Sequence, residues 1–253
     1  MGIIATKNEE VLGLRGLHLY HSAISLCSMR VCMTLEEKGL PWISHHLDLA
    51  KHETHTPEYF SINPNGVVPT LVHDGVVIIE SDDIIEYLDE RFPEPPLVPK
   101  GAGMKEKVHG WLKLATGMHI KAVKTFIYHN KVRRMLQMSD DTKVRYRKLQ
   151  KNRDLLEFHA KASSAEGFSE EEVAYAGRTL HENFGRVEAS LRENEWIAGS
   201  EFSLADIAWI PLHFTLIGAG MSFDAYPRVQ TWADVINDRA SFRNGVLKWC
   251  AKF

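Results

Sequence analysis

The first ninety residues of the 253-residue chain alternate between short apolar segments and segments with helical periodicity. Residues 16–20 alternate between apolar and polar positions, which predicts a first strand. Apolar side chains recur at helical spacing over residues 28–38, and Gly39 is placed to end that helix in the left-handed conformation. Residues 41–47 predict a second strand, and the order strand, helix, strand favours parallel pairing.

A hairpin and a second helix follow in the same region. Residues 69–73 and 76–79 are short apolar runs joined by an Asp-Gly pair, which is a strong signal for a two-residue hairpin turn. Residues 81–91 place their isoleucines and leucine on one face and predict a helix. Together these segments predict one α/β domain over residues 16–93.

Three prolines between residues 93 and 96 interrupt this pattern and predict a linker near 93–103. No convincing strand follows the linker, and the apolar periodicity becomes helical. The predicted helices cover residues 104–136 as one helix or two, 141–161, 169–194, 203–212, 228–238 and 241–251. We therefore predict that the second domain, residues 104–253, is an all-α helical bundle.

Composition and charge indicate a globular protein whose partners are neither nucleic acid nor a membrane. Hydrophobic residues make up 44% of the chain and charged residues 25%, and the formal net charge of −3 gives no global attraction to polyanions. No apolar run approaches the roughly 20 residues that span a bilayer. Residues 104–161 hold 15 Lys and Arg against 5 Asp and Glu, which we interpret as the solvated face of long helices.

The cysteines and the N-terminus bear on the cellular compartment. Cys27, Cys32 and Cys250 are sparse and odd in number, which argues against a disulfide framework and for a reducing compartment, so we expect a cytoplasmic protein. The chain starts without the charged and apolar segments of a signal peptide. Its first residues fit the loose myristoylation pattern, but we interpret residues 1–15 as a loosely held leader.

A proline-containing turn at residues 63–71 is the first candidate for chemistry. The apolar run stops at Pro69, which has no N–H to give to a sheet and whose preceding bond is of the kind that adopts the cis form. A bend there leaves the backbone of Val68 free to pair with an extended ligand. Glu80 and Ser81 open the next helix, at the end whose positive dipole suits acidic groups.

Serines cluster where the first strand meets the first helix. Ser22, Ser25 and Ser28 lie there beside Cys27, and a hydroxyl at a helix N-terminus can donate to an anion such as a thiolate. Serines are also ordinary helix caps, but a cluster opposite the bend at Val68 favours a site. Cys27 is an alternative as a redox thiol with a lowered pKa, although no C-x-x-C spacing is present.

Other chemistries lack motif support. Histidines lie close together at positions 45, 46, 52 and 55, but neither H-E-x-x-H nor paired C-x-x-C spacing occurs, so we expect no metal site. No P-loop, dinucleotide-binding glycine pattern or G-x-S-x-G elbow is present.

Several short motifs resemble those of the glutathione transferases in their order and spacing. The resemblance covers about residues 16–250 and rests on the pieces together. The pieces are Ser25-Leu26-Cys27-Ser28-Met29-Arg30-Val31, Leu35-Glu36-Glu37-Lys38-Gly39-Leu40, Asn63-Pro64-Asn65-Gly66-Val67-Val68-Pro69, Glu80-Ser81 and Ser203-Leu204-Ala205-Asp206. The resemblance implies an α/β thioredoxin-like N-terminal domain followed by an all-α C-terminal helical bundle.

Residue by residue, the resemblance implies a glutathione site. Val68 would pair through its backbone with the cysteinyl part of glutathione, beside Pro69 as a cis-proline. Glu80 and Ser81 would hold the γ-glutamyl amine and carboxylate. His55, in the loop after the second strand, is the candidate partner for the glycine carboxylate.

Two serines compete for the catalytic position next to the thiolate. Ser25 stands where serine-type members of the family place the hydroxyl that stabilises it, and Ser28 is the rival. The tyrosine of other classes has no clear equivalent, although Tyr20 is close by. Residues 138–172 look like an insertion in the bacterial enzymes that cleave β-aryl ethers of lignin, a subgroup that Ser28 fits better.

The resemblance therefore implies a dimeric, glutathione-dependent transferase or lyase that acts on a small hydrophobic aromatic substrate. The thiolate would attack an electrophilic carbon, as in cleavage of a β-aryl ether of a lignin-derived compound. The alternatives are a glutathione-dependent dehalogenase or general conjugating transferase, a non-catalytic interaction module, and a thiol reductase that uses Cys27. The candidates for the acceptor pocket are Trp111, Met118, Tyr128, Trp209 and Phe214.

Overall fold

The computed structural model describes residues 2–133 and 135–250 and has a mixed sheet at the centre of its N-terminal domain. The strands are β1 (Ile3–Ile4), β2 (Leu17–His21), β3 (Trp42–His46), β4 (Thr70–His73) and β5 (Val76–Ile79). The sheet order is β1-β5-β4-β2-β3, in which β2 and β3 run parallel and the other neighbours run antiparallel. The predicted parallel pair and the predicted hairpin are both confirmed.

Helices cover both faces of this sheet. They are α1 (Glu9–Gly13), α2 (Leu26–Glu37), α3 (Pro57–Phe60) and α4 (Ser81–Arg91). On one face Leu19 of β2 packs in a buried core with Val31 of α2 and Ile84 of α4. On the other face Val72 of β4 belongs to a second buried cluster with Tyr59 of α3. Over residues 16–93 the predicted order of strand, helix, strand, hairpin and helix is confirmed, and the short helix α3 lies between β3 and β4 in addition.

The N-terminal segment is part of the fold, so its interpretation as a loosely held leader is wrong for residues 2–15. β1 pairs antiparallel with β5, and the N–H of Ile79 donates to the carbonyl of Gly2 at 2.9 Å. Val11 of α1 is fully buried in the second cluster. A strand of two residues is too short to show a period, so the pattern gives no signal for it. Met1 lies outside the described residues.

The C-terminal domain is built from helices. The α-helices are α5 (Met104–Gly117), α6 (Thr125–Ile127), α7 (Asp140–Leu149), α8 (Arg153–Ala162), α9 (Glu170–Glu193), α10 (Leu204–Gly218), α11 (Pro227–Asn237), α12 (Ala240–Phe242) and α13 (Lys248–Cys250). The π-helical segments are π1 (His119–Lys124), π2 (Tyr128–Val132) and π3 (Arg243–Leu247). Within residues 2–133 and 135–250, no helix has both the length and the apolar character that crossing a membrane requires.

Residues 141–161 form parts of two helices rather than the one predicted. The side chain of Asn152 accepts hydrogen bonds from the N–H groups of Asp154 and Leu155, at 3.1 and 3.3 Å, and so caps α8. A cap inside a charged, periodic segment looks like any other polar position, which is why the pattern missed this break. The helices predicted at either end of the domain are subdivided by π-helical segments, and residue 251 lies outside the described part.

Helix α10 runs through the centre of the helical domain, where Trp209 is fully buried. The predicted cap is present, because Asp206 accepts a hydrogen bond from the N–H of Ser203 at 2.9 Å. The same carboxylate accepts from the N–H of Ile197 at 3.0 Å and from Nε1 of Trp232 at 2.9 Å. Burial raises the pKa of Asp206 to about 6, against hydrogen bonds that favour the ionised form. This carboxylate therefore joins three segments of the domain.

The C-terminal π3 segment packs closely on α2 at Gly245. A Cβ there would lie 2.9 Å from the backbone nitrogen of Met33 and 3.0 Å from the carbonyl carbon of Cys32. We expect Gly245→Ala to lower the free energy of unfolding by about 1–3 kcal/mol, because backbone atoms must move to admit the methyl group. Chemical denaturation measures the change.

Gly110→Ala is the matched control, since a Cβ at Gly110 of α5 meets nothing within 4 Å. We expect this substitution to stabilise the fold by about 0.5–1 kcal/mol, because alanine loses less backbone entropy in a helix. A loss at Gly245 no larger than the change at Gly110 would contradict the close approach of π3 to α2.

Candidate active site

A cleft of about 250 Å³ lies between the two domains. The N-terminal domain lines it with the start of α2, the turn before β4 and the start of α4, and the helical domain lines it with π1, α8 and neighbouring segments. Six of the seven residues predicted for the site border this cleft. These are Ser25, His55, Val68, Pro69, Glu80 and Ser81.

The turn before β4 is held in place by hydrogen bonds to one carbonyl. The Val67 carbonyl accepts from the hydroxyl of Tyr59 at 2.8 Å and from Nδ2 of Asn63 at 2.9 Å. The bond between Val68 and Pro69 is cis. Because Val68 precedes β4 and borders the cleft, its backbone is placed to pair with an extended ligand.

Glu80 has a φ of 65°, a value that is uncommon for a residue with a side chain and costs about 1–3 kcal/mol. Its carboxylate accepts a hydrogen bond from Nδ2 of Asn65 at 3.2 Å. Burial, followed by the charge of Asp82, raises the pKa of Glu80. Ser81 begins α4, and its Oγ accepts from Nη1 of Arg30 at 3.3 Å. A carboxylate beside a helix N-terminus offers partners for both the ammonium and the carboxylate of an amino acid.

Arg30 of α2 borders the cleft, and sequence reasoning did not select it. Its guanidinium is almost completely buried, and Nε donates to the carbonyl of Ala208 in α10 at 2.9 Å. Nη2 has no hydrogen-bond partner in the described part of the chain. An arginine within a largely apolar helix could have been the signal, because a buried charge needs partners. Arg30 thus links the domains and places a positive charge beside Ser81.

The two candidate serines occupy different environments. Ser25 caps α2 and borders the cleft, and its Oγ accepts from the N–H of Ser28 at 3.2 Å, which leaves its own hydroxyl hydrogen to donate. Ser28 is 1% exposed and is not among the residues that border the cleft. The Oγ of Ser28 instead accepts from the N–H of Ser22 at 3.3 Å. The structure therefore brings Ser25 to the site and leaves Ser28 beneath it.

Cys27 also borders the cleft, with its Sγ 3.7 Å from Nε2 of His119 in π1. Burial raises the pKa of the Cys27 thiol, and the positive charges of Arg30 and Lys124 oppose that rise only in part. A raised pKa keeps the thiol protonated, which disfavours the thiol reductase alternative.

His55 contacts the helical domain at the other end of the cleft. Its carbonyl accepts from Nε of Arg145 at 2.8 Å, and its ring lies 4.4 Å from that of Tyr146, both on α7. Burial lowers the pKa of His55 to about 3, so that the imidazole is neutral at physiological pH. The Nδ1 atom has no partner among the described residues. His55 can therefore donate a hydrogen bond to a carboxylate but supplies no charge.

Of the five aromatic and methionine candidates for the acceptor pocket, only Tyr128 borders the cleft. Trp209 is fully buried in the core of the helical domain, and its Nε1 donates to the carbonyl of Trp111 at 3.1 Å. Trp111 is half-buried and packs against that core rather than bordering the cleft. Met118 is buried in the same core, and Phe214 packs on Phe242. Sequence reasoning selected aromatic and methionine side chains, so it missed the aliphatic, basic and histidine residues of π1 and α8 that border the helical side of the cleft. They include His119, Ile120, Lys124, Leu155 and His159.

Comparisons with known proteins identify the family. The model of the glutathione S-transferase N-terminal domain matches residues 19–96, and that of the C-terminal domain matches residues 139–240. The chain belongs to the glutathione S-transferase family. The predicted fold class, a thioredoxin-like domain followed by a helical domain, is confirmed, and so is glutathione as the cosubstrate of the family.

Two curated relatives match over most of their length. Protein LigF of Sphingobium sp. (strain NBRC 103272 / SYK-6) is 29% identical over 90% of this chain and 91% of its own. Glutathione S-transferase TCHQD of Arabidopsis thaliana is 31% identical over 78% of this chain and 75% of its own. The crystal structure of β-etherase LigF from Sphingobium sp. strain SYK-6 superposes with a TM-score of 0.83 at 28% identity, covering 92% of this chain and 99% of that one.

Proposed function

We propose that this glutathione transferase cleaves β-aryl ethers of aromatic compounds. The observation that carries the proposal is the similarity to β-etherase LigF, which extends over nearly the whole of both chains. A cleft whose helical side is largely apolar supports an aromatic acceptor.

In this proposal glutathione lies along the N-terminal wall of the cleft. Its cysteinyl backbone pairs with Val68, and its γ-glutamyl group binds at Glu80 and Ser81. The glycine carboxylate lies toward the neutral imidazole of His55. The positions of these residues around one cleft support the assignment.

The glutathione sulfur then lies near the N-terminus of α2. The Ser25 hydroxyl donates to the thiolate, and the helix dipole favours its negative charge. Arg30 adds a positive charge from the same helix. These effects lower the pKa of the glutathione thiol and supply the nucleophile.

The thiolate attacks the carbon that bears the aryloxy group, beside a ketone that makes this carbon electrophilic. A carbon–sulfur bond forms as the carbon–oxygen bond breaks, with inversion at the carbon. The bonding pair leaves on the aryloxide oxygen, which takes up one proton and departs as a phenol. The products are a glutathione thioether and a phenol in equal amounts.

Helices α7 and α8 close the glycine end of the glutathione subsite. Arg145 of α7 donates to the carbonyl of His55, and Nε2 of Gln150 donates to the carbonyl of Asn65 at 2.8 Å. Leu155 and other residues of α8 border the cleft directly. These two helices therefore fix two loops of the glutathione subsite and form a wall of the acceptor side.

A substrate panel tests the proposal. The purified protein is incubated with glutathione and a 2-aryloxyacetophenone, chlorodinitrobenzene or a haloalkane, and thioether and phenol are quantified. We expect equal amounts of phenol and thioether from the ketone. The matched control is the same ether with its ketone reduced to an alcohol, which we expect to be inert because its carbon is not activated.

Each other outcome of the substrate panel would support one of the alternative functions. Turnover of chlorodinitrobenzene or the haloalkane without ether cleavage would indicate a general conjugating transferase or dehalogenase. No turnover of any acceptor, together with no retention on immobilised glutathione, would indicate an interaction module. Dimerisation and a cytoplasmic location remain predictions that size-exclusion chromatography and fractionation test.

A further inference from the structure

One cationic side chain lies in the acceptor half of the cleft. Lys124, the last residue of π1, borders the cleft together with the apolar residues Ile120, Ile127 and Leu155. Its Nζ lies 4.7 Å from the ring centroid of Phe158 in α8. The apolar walls pack against the lysine stem, and the aromatic ring attracts the ammonium. These contacts fix the side chain in the cleft rather than leaving it in solvent.

This ammonium has no anionic partner within residues 2–133 and 135–250. Among the described residues, the one carboxylate that borders the cleft is that of Glu80, which accepts from Asn65 at the glutathione end. Burial lowers the pKa of Lys124 to about 8, and the side chain that counteracts this is Cys27. A partly desolvated ammonium with no carboxylate nearby gains from an anionic oxygen brought by a ligand.

The imidazoles of His119 and His159 carry no charge that would compete with an anion for Lys124. Burial, followed by the charge of Lys124, lowers the pKa of both His119 and His159 well below the ordinary value. Both rings are therefore neutral at physiological pH, and neither repels an anion nor supplies one. Nδ1 of His119 is buried without a partner among the described residues, so a further hydrogen bond is available there.

We propose that Lys124 binds an anionic oxygen of the aromatic acceptor and so selects acceptors that carry or release one. The inference rests on the proposed function, which supplies the aromatic character of the acceptor. The oxygen has two possible sources, a carboxylate that the acceptor carries or the aryloxide that leaves during ether cleavage.

Both sources fit the chemistry of the step. As the carbon–oxygen bond breaks, its electron pair stays on the aryloxide, and the Lys124 ammonium gives up one proton to form the phenol. Lys124 then regains a proton from water. A carboxylate on the acceptor undergoes no covalent change and would be held by charge and hydrogen bonding alone.

The test measures the binding and ionisation of a phenol under conditions in which no turnover occurs. S-Methylglutathione occupies the glutathione subsite without a free thiol, and 4-nitrophenol is titrated with pH while its visible absorbance reports ionisation. We expect the bound phenol in the wild type to have a pKa about one unit below that of the free phenol, a tenfold preference for phenolate or about 1.4 kcal/mol. Lys124→Met and Lys124→Gln should abolish this shift, and Lys124→Arg should retain most of it.

Lys121→Met is the matched control, because Lys121 lies on the same π1 segment but is exposed and does not border the cleft. It should behave as the wild type. A wild-type shift that survives in both Lys124→Met and Lys124→Gln would overturn the inference, as would the absence of any shift together with equal binding of benzoate and benzyl alcohol.

A second pair of probes separates the two sources. Binding of benzoate about tenfold tighter than benzyl alcohol, lost in Lys124→Met, supports a carboxylate on the acceptor. A Lys124-dependent shift for 4-nitrophenol without that preference supports the leaving aryloxide. Failure of the wild type to cleave aryl ethers would refute the proposed function and leave these binding results intact, so the two failures are distinguishable.

Discussion

Replacing Ser25 with alanine is expected to lower kcat/KM for ether cleavage by about a hundredfold. The substitution removes the hydroxyl that donates to the glutathione thiolate, so less of the bound thiol is ionised at neutral pH. The pH profile of kcat/KM for the ether, recorded at saturating glutathione, provides the measurement, since its ascending limb reports the ionisation of the bound thiol. We expect that limb to move about one unit toward higher pH.

Ser28→Ala is the control for Ser25→Ala. Ser28 is buried, and its Oγ accepts from the N–H of Ser22 away from the cleft. We expect its removal to cost about 1 kcal/mol of stability and to leave the pH profile in place. A shifted profile in Ser28→Ala together with a normal one in Ser25→Ala would make Ser28 the catalytic serine.

Asp206→Ala is expected to give the largest loss of stability, about 3–5 kcal/mol of the free energy of unfolding. The carboxylate accepts from the N–H groups of Ile197 and Ser203 and from the indole of Trp232, all within the buried core. Alanine leaves these donors unpaired and opens a cavity where α10 begins. Urea denaturation followed by tryptophan fluorescence measures the change.

Glu172→Ala is the matched control for Asp206→Ala, because Glu172 holds the same position in the capping box of α9 at the surface, where it accepts from the N–H of Ser169 at 2.9 Å. We expect it to cost about 1 kcal/mol, the usual value of a capping interaction. A similar cost for both substitutions would show that the buried hydrogen bonds of Asp206 contribute little beyond the cap.

The elements with strong local signals could be predicted from the sequence. The Asp-Gly turn fixes the register of β4 against β5, in which Thr70 lies opposite Ile79. The serine and acidic residues at 169–172 mark the start of α9 because they satisfy its first N–H groups. Each of these two signals is contained within a few consecutive residues, so neighbouring side chains suffice to produce it.

The features that depend on tertiary contact could not be predicted in the same way. β1 exists because Ile3 and Ile4 complete an edge that β5 provides, and nothing in two residues shows this. Lys124 reads as one more charge in a basic segment until α8 places Phe158 against it. Trp111 and Trp209 read as pocket residues because aromatic content alone cannot separate a core from a cleft.

The ultraviolet absorbance of the thiolate in bound glutathione tests the central claim most directly. Wild-type protein saturated with glutathione at neutral pH is compared with the sum of free protein and free glutathione. We predict a thiolate band whose pH titration gives a pKa below that of free glutathione. Saturated binding with no thiolate band at neutral pH would contradict the account, because the cleft would then hold glutathione without activating its sulfur.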